Sequence, residues 1–383
     1  MALRFKSKAL AVTTALGLAV TVSSTVGSLS SAGAATGVNP KNIVLVASVI
    51  NTTNPYMASN IAGAQALGKK LGVPVQIVDS QGSSQVEISK IQAILAQGKT
   101  VVLFVNTVAS SDAPIIVDAV KKAHGFVSIW WNKPDSLEPW NVGNSFVAFQ
   151  KHPGVASGAC DADKLGAALG GKGSVVELPG VKDSTTSVTR VAGFETELKA
   201  KFPGIKILDA QPSNWDPNLA YNNTKTMIAK FGDSISGVWA ADDAMQTGAM
   251  KAFSDAGTIN KVKFASDGLY ADTIASMQSG AGNKAIVGET FHRGYAASAI
   301  GLYTAYLAAT GKIDPSKLPH SQRDSMFKIA CVDNTNLAQY TKWDNNISGW
   351  IDTLIKNGPW ATDPFPLVAG GPEKTPAGWT SQF

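Results

Sequence analysis

The stretch Ile43-Val-Leu-Val-Ala-Ser-Val-Ile-Asn-Thr-Thr-Asn-Pro-Tyr-Met57 decides how the rest of the chain is interpreted. Residues 43–47 form a continuous apolar run rich in β-branched side chains, which is the pattern of a strand covered on both faces. The run ends at Ser48, and Pro55 then opens a segment, residues 56–71, whose apolar residues recur at helical spacing. Open α/β sheets bind ligands where a parallel strand ends and a helix begins. The stretch therefore predicts either a ligand-binding loop or an ordinary strand-to-helix turn.

Residues 1–34 have the composition of a secretory signal peptide. Arg4, Lys6 and Lys8 form a basic segment, residues 9–20 form an apolar segment, and Ala32-Gly-Ala34 matches a cleavage site. The apolar segment is too short to span a bilayer, and no cysteine lies near the cleavage site to accept a lipid. We therefore expect cleavage after Ala34 and export to the periplasm or the extracellular space, without a lipid anchor.

The rest of the chain, about 350 residues, is longer than one hydrophobic core usually supports and suggests two domains. The formal charge of +5 falls to about +2 without the basic residues of the leader. This near balance gives no reason to expect a nucleic-acid or membrane-surface partner. No later segment has the length and apolar character of a transmembrane helix.

From residue 41 onward, short apolar runs alternate with segments of helical spacing. The first unit predicts strands at 43–47, 75–78, 101–105 and 126–130, with helices at 56–71, 84–97 and 112–123. This alternation is typical of a parallel sheet with helices on both faces. The predicted fold class is therefore α/β.

Residues 132–153 interrupt the alternation with several prolines and Gly143, and we interpret them as a passage between two domains. A second α/β unit follows. Its predicted helices are 154–169, 187–201, 217–231, 244–256 and 270–279, and its predicted strands are 174–178, 205–210, 237–240, 262–266 and 285–289. A helix at 294–309 and a strand at 326–332 would complete the two units. For residues 358–383, which are rich in proline and glycine, we predict surface coil.

The two cysteines, Cys160 and Cys331, belong to a chain expected in an oxidising compartment. A structural disulfide and a pair of buried free thiols are both compatible with this count. The sequence does not show whether the two residues approach closely enough to bond, so both alternatives stay open.

Several motifs in this chain, in family order and at family spacing, resemble those of ribose-type (type I) periplasmic sugar-binding proteins of ABC importers. They are Ser48 with Asn54-Pro-Tyr56, Val78-Asp-Ser-Gln81, Val175-Val-Glu-Leu-Pro-Gly180, Arg190-Val-Ala-Gly-Phe194, Gln211-Pro-Ser-Asn-Trp-Asp216, Ala241-Asp-Asp-Ala-Met-Gln-Thr-Gly-Ala249 and Ser266-Asp-Gly268. The resemblance extends from about residue 42 to about residue 332.

The resemblance implies two doubly wound parallel-sheet lobes joined by a three-crossover hinge, with the ligand clamped between them. On this basis we expect a signal peptide at 1–34, lobe 1 at 41–141 plus 292–325, and lobe 2 at 142–291 plus 326–340. Residues 341–383 would form a C-terminal extension whose role the sequence leaves open.

The resemblance also implies ligand-binding positions behind the first strand. Sugars and polyols are bound by aromatic faces and by charged or amide side chains that bridge adjacent hydroxyls. Ser48 and Asn54 match polar positions, Tyr56 matches a stacking aromatic, and Met57 would form a softer wall or simply pack in its helix.

Trp130 and Trp131 depart from the family pattern, because ribose binders have an acid followed by an arginine at this strand end. Adjacent strand residues point to opposite faces, so at most one indole is a straightforward ligand platform unless the strand has ended. We expect Trp131 to contact the ligand and keep Trp130 as a second candidate, with a core position as its alternative. The departure makes ribose itself doubtful as the ligand.

In the second unit, Arg190 matches the hydroxyl-binding arginine of the family and Trp215 matches its stacking aromatic. A surface salt bridge and a cap on the core are the respective alternatives. His292 and Arg293 lie near a crossover, and we interpret them as part of a solvated hinge.

Asp242, Asp267 and Glu289 each follow or end an apolar strand, which would place three acids along one rim of lobe 2. Each alone could be a helix cap or turn residue. Together with Arg190 they predict an acid-rich, aromatic pocket. Such a pocket suits a sugar or polyol, and also an amine-bearing ligand held by cation–π contact.

Other functional motifs are incomplete. The segment Gly166-Ala-Ala-Leu-Gly-Gly171-Lys172-Gly173 lacks the final Ser/Thr of a phosphate loop and precedes its strand. The four histidines are dispersed without zinc-site spacing, and no G-x-S-x-G elbow is present. We expect no cofactor, no bound metal and no catalytic residues.

The leading hypothesis is an exported, monomeric solute-binding protein that delivers a small polar ligand to an ABC permease by hinge closure. A sensory or quorum-type receptor domain and a secreted carbohydrate-active enzyme are the alternatives. We reject a sugar-responsive repressor, because a leader occupies the place of its DNA-binding helix-turn-helix. The identity of the ligand stays open.

Overall fold

The computed structural model describes residues 37–279, 285–328, 330–361, 365–371 and 373–380, so the predicted signal peptide lies outside the described residues. The strands are β1 Ile43–Val49, β2 Val75–Asp79, β3 Thr100–Asn106, β4 Phe126–Trp130, β5 Phe146–Lys151, β6 Lys172–Leu178, β7 Gly204–Ala210, β8 Gly237–Ala240, β9 Lys263–Gly268, β10 Ile286–Phe291, β11 Asp324–Phe327, β12 Cys331–Val332 and β13 Leu367–Ala369. The helices are α1 Pro55–Leu71, α2 Ser84–Leu95, α3 Asp112–Lys122, α4 Pro139–Val142, α5 Gly154–Ala168, α6 Thr185–Lys201, α7 Pro217–Phe231, α8 Asp243–Asp255, α9 Ala271–Gln278, α10 Gly294–Ala309, α11 His320–Arg323 and α12 Ile347–Asn357.

The strands form two sheets. The first has the order β13-β11-β5-β4-β3-β1-β2 and the second has the order β12-β10-β9-β8-β6-β7. The pairings are parallel except for β13 with β11 and β12 with β10. We call the first sheet with helices α1–α4 and α10–α12 the first lobe, and the second sheet with helices α5–α9 the second lobe. The predicted architecture of two α/β lobes is confirmed.

Four passages of the described chain connect the two lobes. The chain passes from β5 to α5 through His152 and Pro153, and from β10 to α10 through His292 and Arg293. It passes a third time between Phe327 and Cys331, and it returns to the first lobe between β12 and α12.

Two predicted lobe boundaries need correction. Strand β5, Phe146–Lys151, pairs with β4 in the first sheet, so the first lobe does not end at residue 141. The sequence did not predict this strand, because prolines and glycines close to both of its ends suggested a connecting segment. The single strand predicted at 326–332 is two strands, one in each sheet, so the third crossing lies beyond Phe327 rather than after residue 325.

Helix α1 shows how local sequence positions the first loop. The Asn54 side chain accepts a hydrogen bond from the backbone N–H of Tyr56, and Pro55 occupies the first helical turn. Both features favour a helix start. The helix ends at Gly72, whose φ of 66° is a left-handed conformation that glycine adopts without strain. The residues that follow β1 are therefore held at the edge of the sheet by a well-defined helix start.

The C-terminal residues belong to the first lobe more closely than the sequence indicates. Helix α12 packs against α1 and α10 through Trp350, Ile351 and Leu354, all of which are buried. Burying each such side chain contributes about 1.5–3 kcal/mol. Beyond it, Phe365 is buried and β13 extends the first sheet, so the prediction of surface coil for 358–383 is wrong in this part.

Cys160 of α5 and Cys331 of β12 are joined by a disulfide, with their Cα atoms 6.0 Å apart. The bond links the second lobe's first helix to the strand that follows the third crossing. Among the residues that the structure describes, no helix combines the length and apolar character needed to cross a membrane.

Candidate functional site

A small cavity of about 30 Å³ lies where the carboxyl ends of both sheets face each other. At 10–15 Å³ per water molecule, this space holds about two waters, so a larger solute fits only when the lobes stand farther apart than they do here. Its walls come from both lobes: Ile50, Tyr56, Met57, Asn106, Trp131 and Asn132 from the first, and Thr186, Arg190, Trp215, Asp242 and Tyr270 from the second, with His292 from the second crossing.

The aromatic walls are held by one another. The Trp131 indole N–H donates to the Tyr56 hydroxyl over 2.9 Å, and the two rings meet edge to face. The ring of Tyr270 lies 5.7 Å from that of Tyr56. Trp215 fits beside Gly180, where a Cβ atom would stand only 2.1 Å from the indole ring. The ring positions are thus fixed by contacts within the protein itself.

Trp131 reaches the cavity because strand β4 ends at Trp130. The backbone of Trp131 has φ of 76°, a conformation that costs a non-glycine residue energy and clusters at functional sites. Trp215 is in the same region with φ of 61°. Trp130, in contrast, packs in the core against Phe104 and Phe327.

Arg190 connects the wall to the interior of the second lobe. One guanidinium nitrogen donates to the carbonyl of Ala241 over 2.5 Å, and the other lies 2.9 Å from the Asp267 carboxylate. The guanidinium also stands over the rings of Trp131 and Trp215, at 5.3 and 5.9 Å from their centroids. Because it is buried and engaged on each side, Arg190 is not a surface residue.

Asp267 is the centre of a buried charged network. Its carboxylate contacts Arg190, the Nε2 atom of His292 and the hydroxyl of Ser157, and the Nδ1 atom of His152 lies 3.5 Å away. Burial opposes ionisation, but Arg190 and the two imidazoles outweigh it and hold the pKa of Asp267 well below its usual value. Burial lowers the pKa of His292 to about 4 despite the attraction of Asp267. The histidines of the first two crossings therefore meet at one carboxylate.

The two lobes are in direct contact around the cavity. The Asn54 amide donates to the Asp242 carboxylate over 2.7 Å and to the Trp215 carbonyl over 3.2 Å. On the other side, the Ser184 hydroxyl donates to the Asn132 side-chain oxygen over 2.8 Å. Burial raises the pKa of Asp242 to about 6, although its hydrogen bonds from Met245 and Asn54 favour the ionised form. This arrangement is a closed one.

The structure brings six of the sequence-predicted residues to the cavity wall: Tyr56, Met57, Trp131, Arg190, Trp215 and Asp242. Asn54 bridges the lobes beside it, and Asp267 stands behind Arg190 and His292.

Three predicted site residues lie elsewhere and need correction. Trp130 is in the core, as described. The Ser48 hydroxyl donates to Glu87 over 2.7 Å, and Glu289 accepts from Gln246 over 2.7 Å. The reason is that β1 continues to Val49 and β10 to Phe291, so both residues lie inside a strand rather than beyond its end.

Sequence reasoning missed several wall residues. Asn106 ends the apolar strand β3 and could have been found by the criterion that selected Asp242. Tyr270 follows the Ser266-Asp-Gly268 motif closely. The interpretation of His292 and Arg293 as a solvated hinge is wrong, because both side chains are buried. Arg293 is paired with Asp344 at 2.8 Å, a contact that no local sequence pattern indicates.

Within the part of the chain that the structure describes, no group of three or more His, Cys, Asp or Glu side chains is arranged to hold a metal ion. The site offers instead aromatic faces, amides, one arginine and one carboxylate.

Two α/β lobes that close over a polar and aromatic cavity define a two-lobed ligand-binding protein. Residues 45–312 match the family model of the periplasmic binding protein domain, and the chain belongs to this family. The resemblance to ribose-type binding proteins seen in the sequence is thereby confirmed.

Two relatives illustrate the similarity. The xylitol-binding protein of Mycolicibacterium smegmatis is 28% identical over 232 residues, which cover 60% of this chain and 62% of that protein. The ribose import binding protein RbsB of Escherichia coli is 28% identical over 271 residues, covering 67% of this chain and 86% of that protein.

Solved structures share the fold. A twin-arginine translocation pathway signal protein from Burkholderia phytofirmans superposes with a TM-score of 0.77 at 31% identity, over 84% of this chain and 98% of that chain. An ABC transporter solute-binding protein from Bacillus halodurans, with bound myo-inositol, has a TM-score of 0.66 at 18% identity, over 79% of this chain and 98% of that one. At that identity the second likeness concerns the fold alone.

Proposed function

We propose that this protein captures a small polar solute of the sugar or polyol class between its lobes and delivers it to an ABC permease. The observation that supports this most directly is the cavity between the carboxyl ends of the two sheets, closed by the hydrogen bond from Asn54 to Asp242. Family membership supports the same class of function, because the relatives named above are binding proteins for xylitol and for ribose import.

The mechanism is a shift between open and closed forms. A solute that contacts walls from both lobes binds the closed form more tightly than the open form, and this differential affinity favours closure. The crossings at 152–153 and 292–293 are the segments about which the lobes would move. The permease then recognises the closed shape. We further propose that the chain is exported through its leader and acts as a monomer.

The site supports a catalytic role less well than it supports solute binding. The Asp267 carboxylate is ionised and committed to Arg190 and His292, and Asp242 caps helix α8 by accepting from the Met245 N–H. Asp267 does not line the cavity, and both oxygens of Asp242 already accept hydrogen bonds, one from Met245 and one from Asn54.

Solute binding is tested by titrating the purified full chain with xylitol, D-ribose, myo-inositol and glycerol, using calorimetry and tryptophan fluorescence. We expect saturable binding of at least one solute, and a compaction of the protein in small-angle scattering. Trp131→Ala should abolish binding. Trp140 stacks on His320 and does not line the cavity, so Trp140→Ala should leave binding unchanged. Absence of binding by every member of the panel would refute the proposal.

A further inference from the structure

The walls of the cavity contain buried polar atoms of both kinds whose hydrogen-bonding capacity is unused by the described residues. Two are donors, the Nε of Arg190 and the indole Nε1 of Trp215. Two are acceptors, the side-chain oxygen of Asn106 and the Nδ1 of His292. All four residues line the same cavity. Buried polar groups are paired in folded proteins because leaving one unpaired is costly. These atoms therefore need partners from water, or from a solute that replaces the water and offers both donors and acceptors.

The state of His292 follows from its contact with Asp267. The Nε2 atom lies against the ionised Asp267 carboxylate, while the Arg190 guanidinium is farther away at 3.5 Å. The nearer carboxylate decides the tautomer: Nε2 carries the proton, since two lone pairs would repel each other there. In the neutral imidazole the other nitrogen, Nδ1, is then an acceptor. The ring itself is surrounded by cavity walls, with centroids 4.8 Å from Tyr56 and 5.0 Å from Trp131. The Nδ1 atom of His292 is therefore a hydrogen-bond acceptor in the cavity wall.

The charged side chains around the cavity already have ionic or hydrogen-bonding partners within the protein. Arg190 is paired with Asp267 at 2.9 Å, and Asp242 is hydrogen-bonded by Asn54 at 2.7 Å. Arg190 also occupies the cation–π positions over Trp131 and Trp215 that an amine would need. A carboxylate or phosphate, in turn, offers acceptors only and could not donate to His292 or Asn106.

Building on the proposed function, we propose that the solute is an uncharged, compact polyol, and that the Nδ1 atom of His292 accepts a hydrogen bond from one of its hydroxyls. Hydroxyls both donate and accept, so adjacent ones can satisfy Arg190 and Trp215 as well as Asn106 and His292. Asp267 contributes as a positioning residue, because it fixes the tautomer and orientation of His292 without lining the cavity itself. The amine-bearing ligand that the sequence left open is disfavoured.

The solute class is tested by comparing xylitol and myo-inositol with D-gluconate and D-glucosamine in calorimetric titrations. We expect a neutral polyol to bind at least ~10-fold more tightly than either charged compound, which is the cost of one buried unsatisfied group. Tighter binding of a charged compound would overturn the inference while leaving the proposed function intact. Binding of none would refute the proposed function instead.

The role of His292 is tested with two substitutions of different geometry. The amide of His292→Gln can reach Asp267 but has no acceptor at the Nδ1 position, whereas the oxygen of His292→Asn falls near that position. With xylitol as the probe, we expect His292→Gln to weaken binding roughly 10-fold to 100-fold, and His292→Asn to weaken it less. Equal, wild-type affinity in both variants would show that His292 does not bind the solute.

A readout independent of affinity comes from ¹⁵N-histidine NMR of the full chain. The free protein should show His292 protonated at Nε2 and bare at Nδ1, and xylitol should shift the Nδ1 resonance. In Asp267→Asn we expect a mixture of tautomers, which a purely structural role of Asp267 would not produce. An Nδ1-protonated His292 in the wild type, or an Nδ1 resonance that binding leaves unmoved, would overturn the assignment.

Discussion

The side-chain amide of Asn54 in the first lobe donates a 2.7 Å hydrogen bond to the carboxylate of Asp242 in the second. The oxygen of the same amide accepts from the Tyr56 N–H and begins helix α1. Asp242 likewise caps helix α8 through its other oxygen. The bond between the lobes therefore joins two helix starts, each fixed by its own cap, and closure brings together groups that are already oriented.

Asn54→Asp separates the two roles of Asn54. The carboxylate can still cap α1, but it cannot donate to Asp242 and repels it instead. We expect a melting temperature close to wild type and a roughly 10-fold to 100-fold loss of solute affinity, because a hydrogen bond to a charged group contributes about 1.5–3 kcal/mol. Calorimetry and small-angle scattering would measure affinity and closure. Asn39→Asp is the matched control, since Asn39 also caps a helical turn but is exposed.

Substitution of the two adjacent tryptophans should give opposite results. Trp130→Phe leaves a gap in the core beside Phe327 and should lower the free energy of unfolding by about 1–3 kcal/mol, with solute binding retained. Trp131→Phe removes the donor to Tyr56 from the cavity wall and should reduce affinity with little effect on stability. Urea unfolding and calorimetry on both variants would check this. The prediction fails if the two variants behave alike.

The alternation of strands and helices was predictable because buried parallel strands are read directly as apolar runs, as in β1 and β3. What the sequence could not supply was the exact end of each strand. Because β1 extends one residue beyond Ser48, the Ser48 side chain faces Glu87 instead of the cavity. The left-handed backbone of Trp131 places its indole, and not that of Trp130, in the cavity wall. His292 was misread because its contact with Asp267 forms between two different strand ends, which no local sequence pattern indicates.

Reducing the Cys160–Cys331 disulfide should destabilise the protein without changing its cavity. The bond closes a chain segment of 171 residues, and the loss of that constraint on the unfolded chain is worth ~2–5 kcal/mol. Thermal unfolding with and without reductant should show a lower melting temperature, and the Cys160→Ser, Cys331→Ser double variant should match the reduced wild type. Solute affinity below the melting transition should be unchanged. A reduced protein of unaltered stability would contradict this view of the bond.

The C-terminal segment should stabilise the start of the second lobe. After β13 on the first lobe, Glu373 accepts the backbone N–H groups of Gly154 and Val155, at 3.0 and 2.6 Å, where helix α5 begins. The segment thus adds a further contact between the lobes. Glu373→Ala should cost about 0.5–2 kcal/mol, as loss of a helix cap does, and speed hydrogen exchange at those two amides. Unchanged exchange there would show that the contact does not persist in solution.

Glu177 should make the protein less stable as the pH rises. Burial, with a further contribution from Glu195, raises the pKa of Glu177 well above its usual value, and neither carboxyl oxygen has a hydrogen-bond partner among the described residues. The native protein then keeps the proton while the unfolded chain releases it above a pH of about 4.5. The stabilisation is complete below that pH and is lost progressively as the pH rises toward the raised pKa, at about 1.4 kcal/mol per pH unit.

Glu177→Gln removes this titration while preserving the shape of the side chain. We expect the free energy of unfolding of the variant to exceed that of wild type at pH 7. Its decline as the pH rises above about 4.5 should be shallower, by at most about 1.4 kcal/mol per pH unit. Urea unfolding at several pH values measures both quantities. Asp118→Asn, on an exposed part of helix α3, is the control and should leave the slope as in wild type. A parallel pair of curves for Glu177→Gln and wild type would mean that Glu177 is ionised in the folded protein, and that its buried carboxylate has a partner in solution.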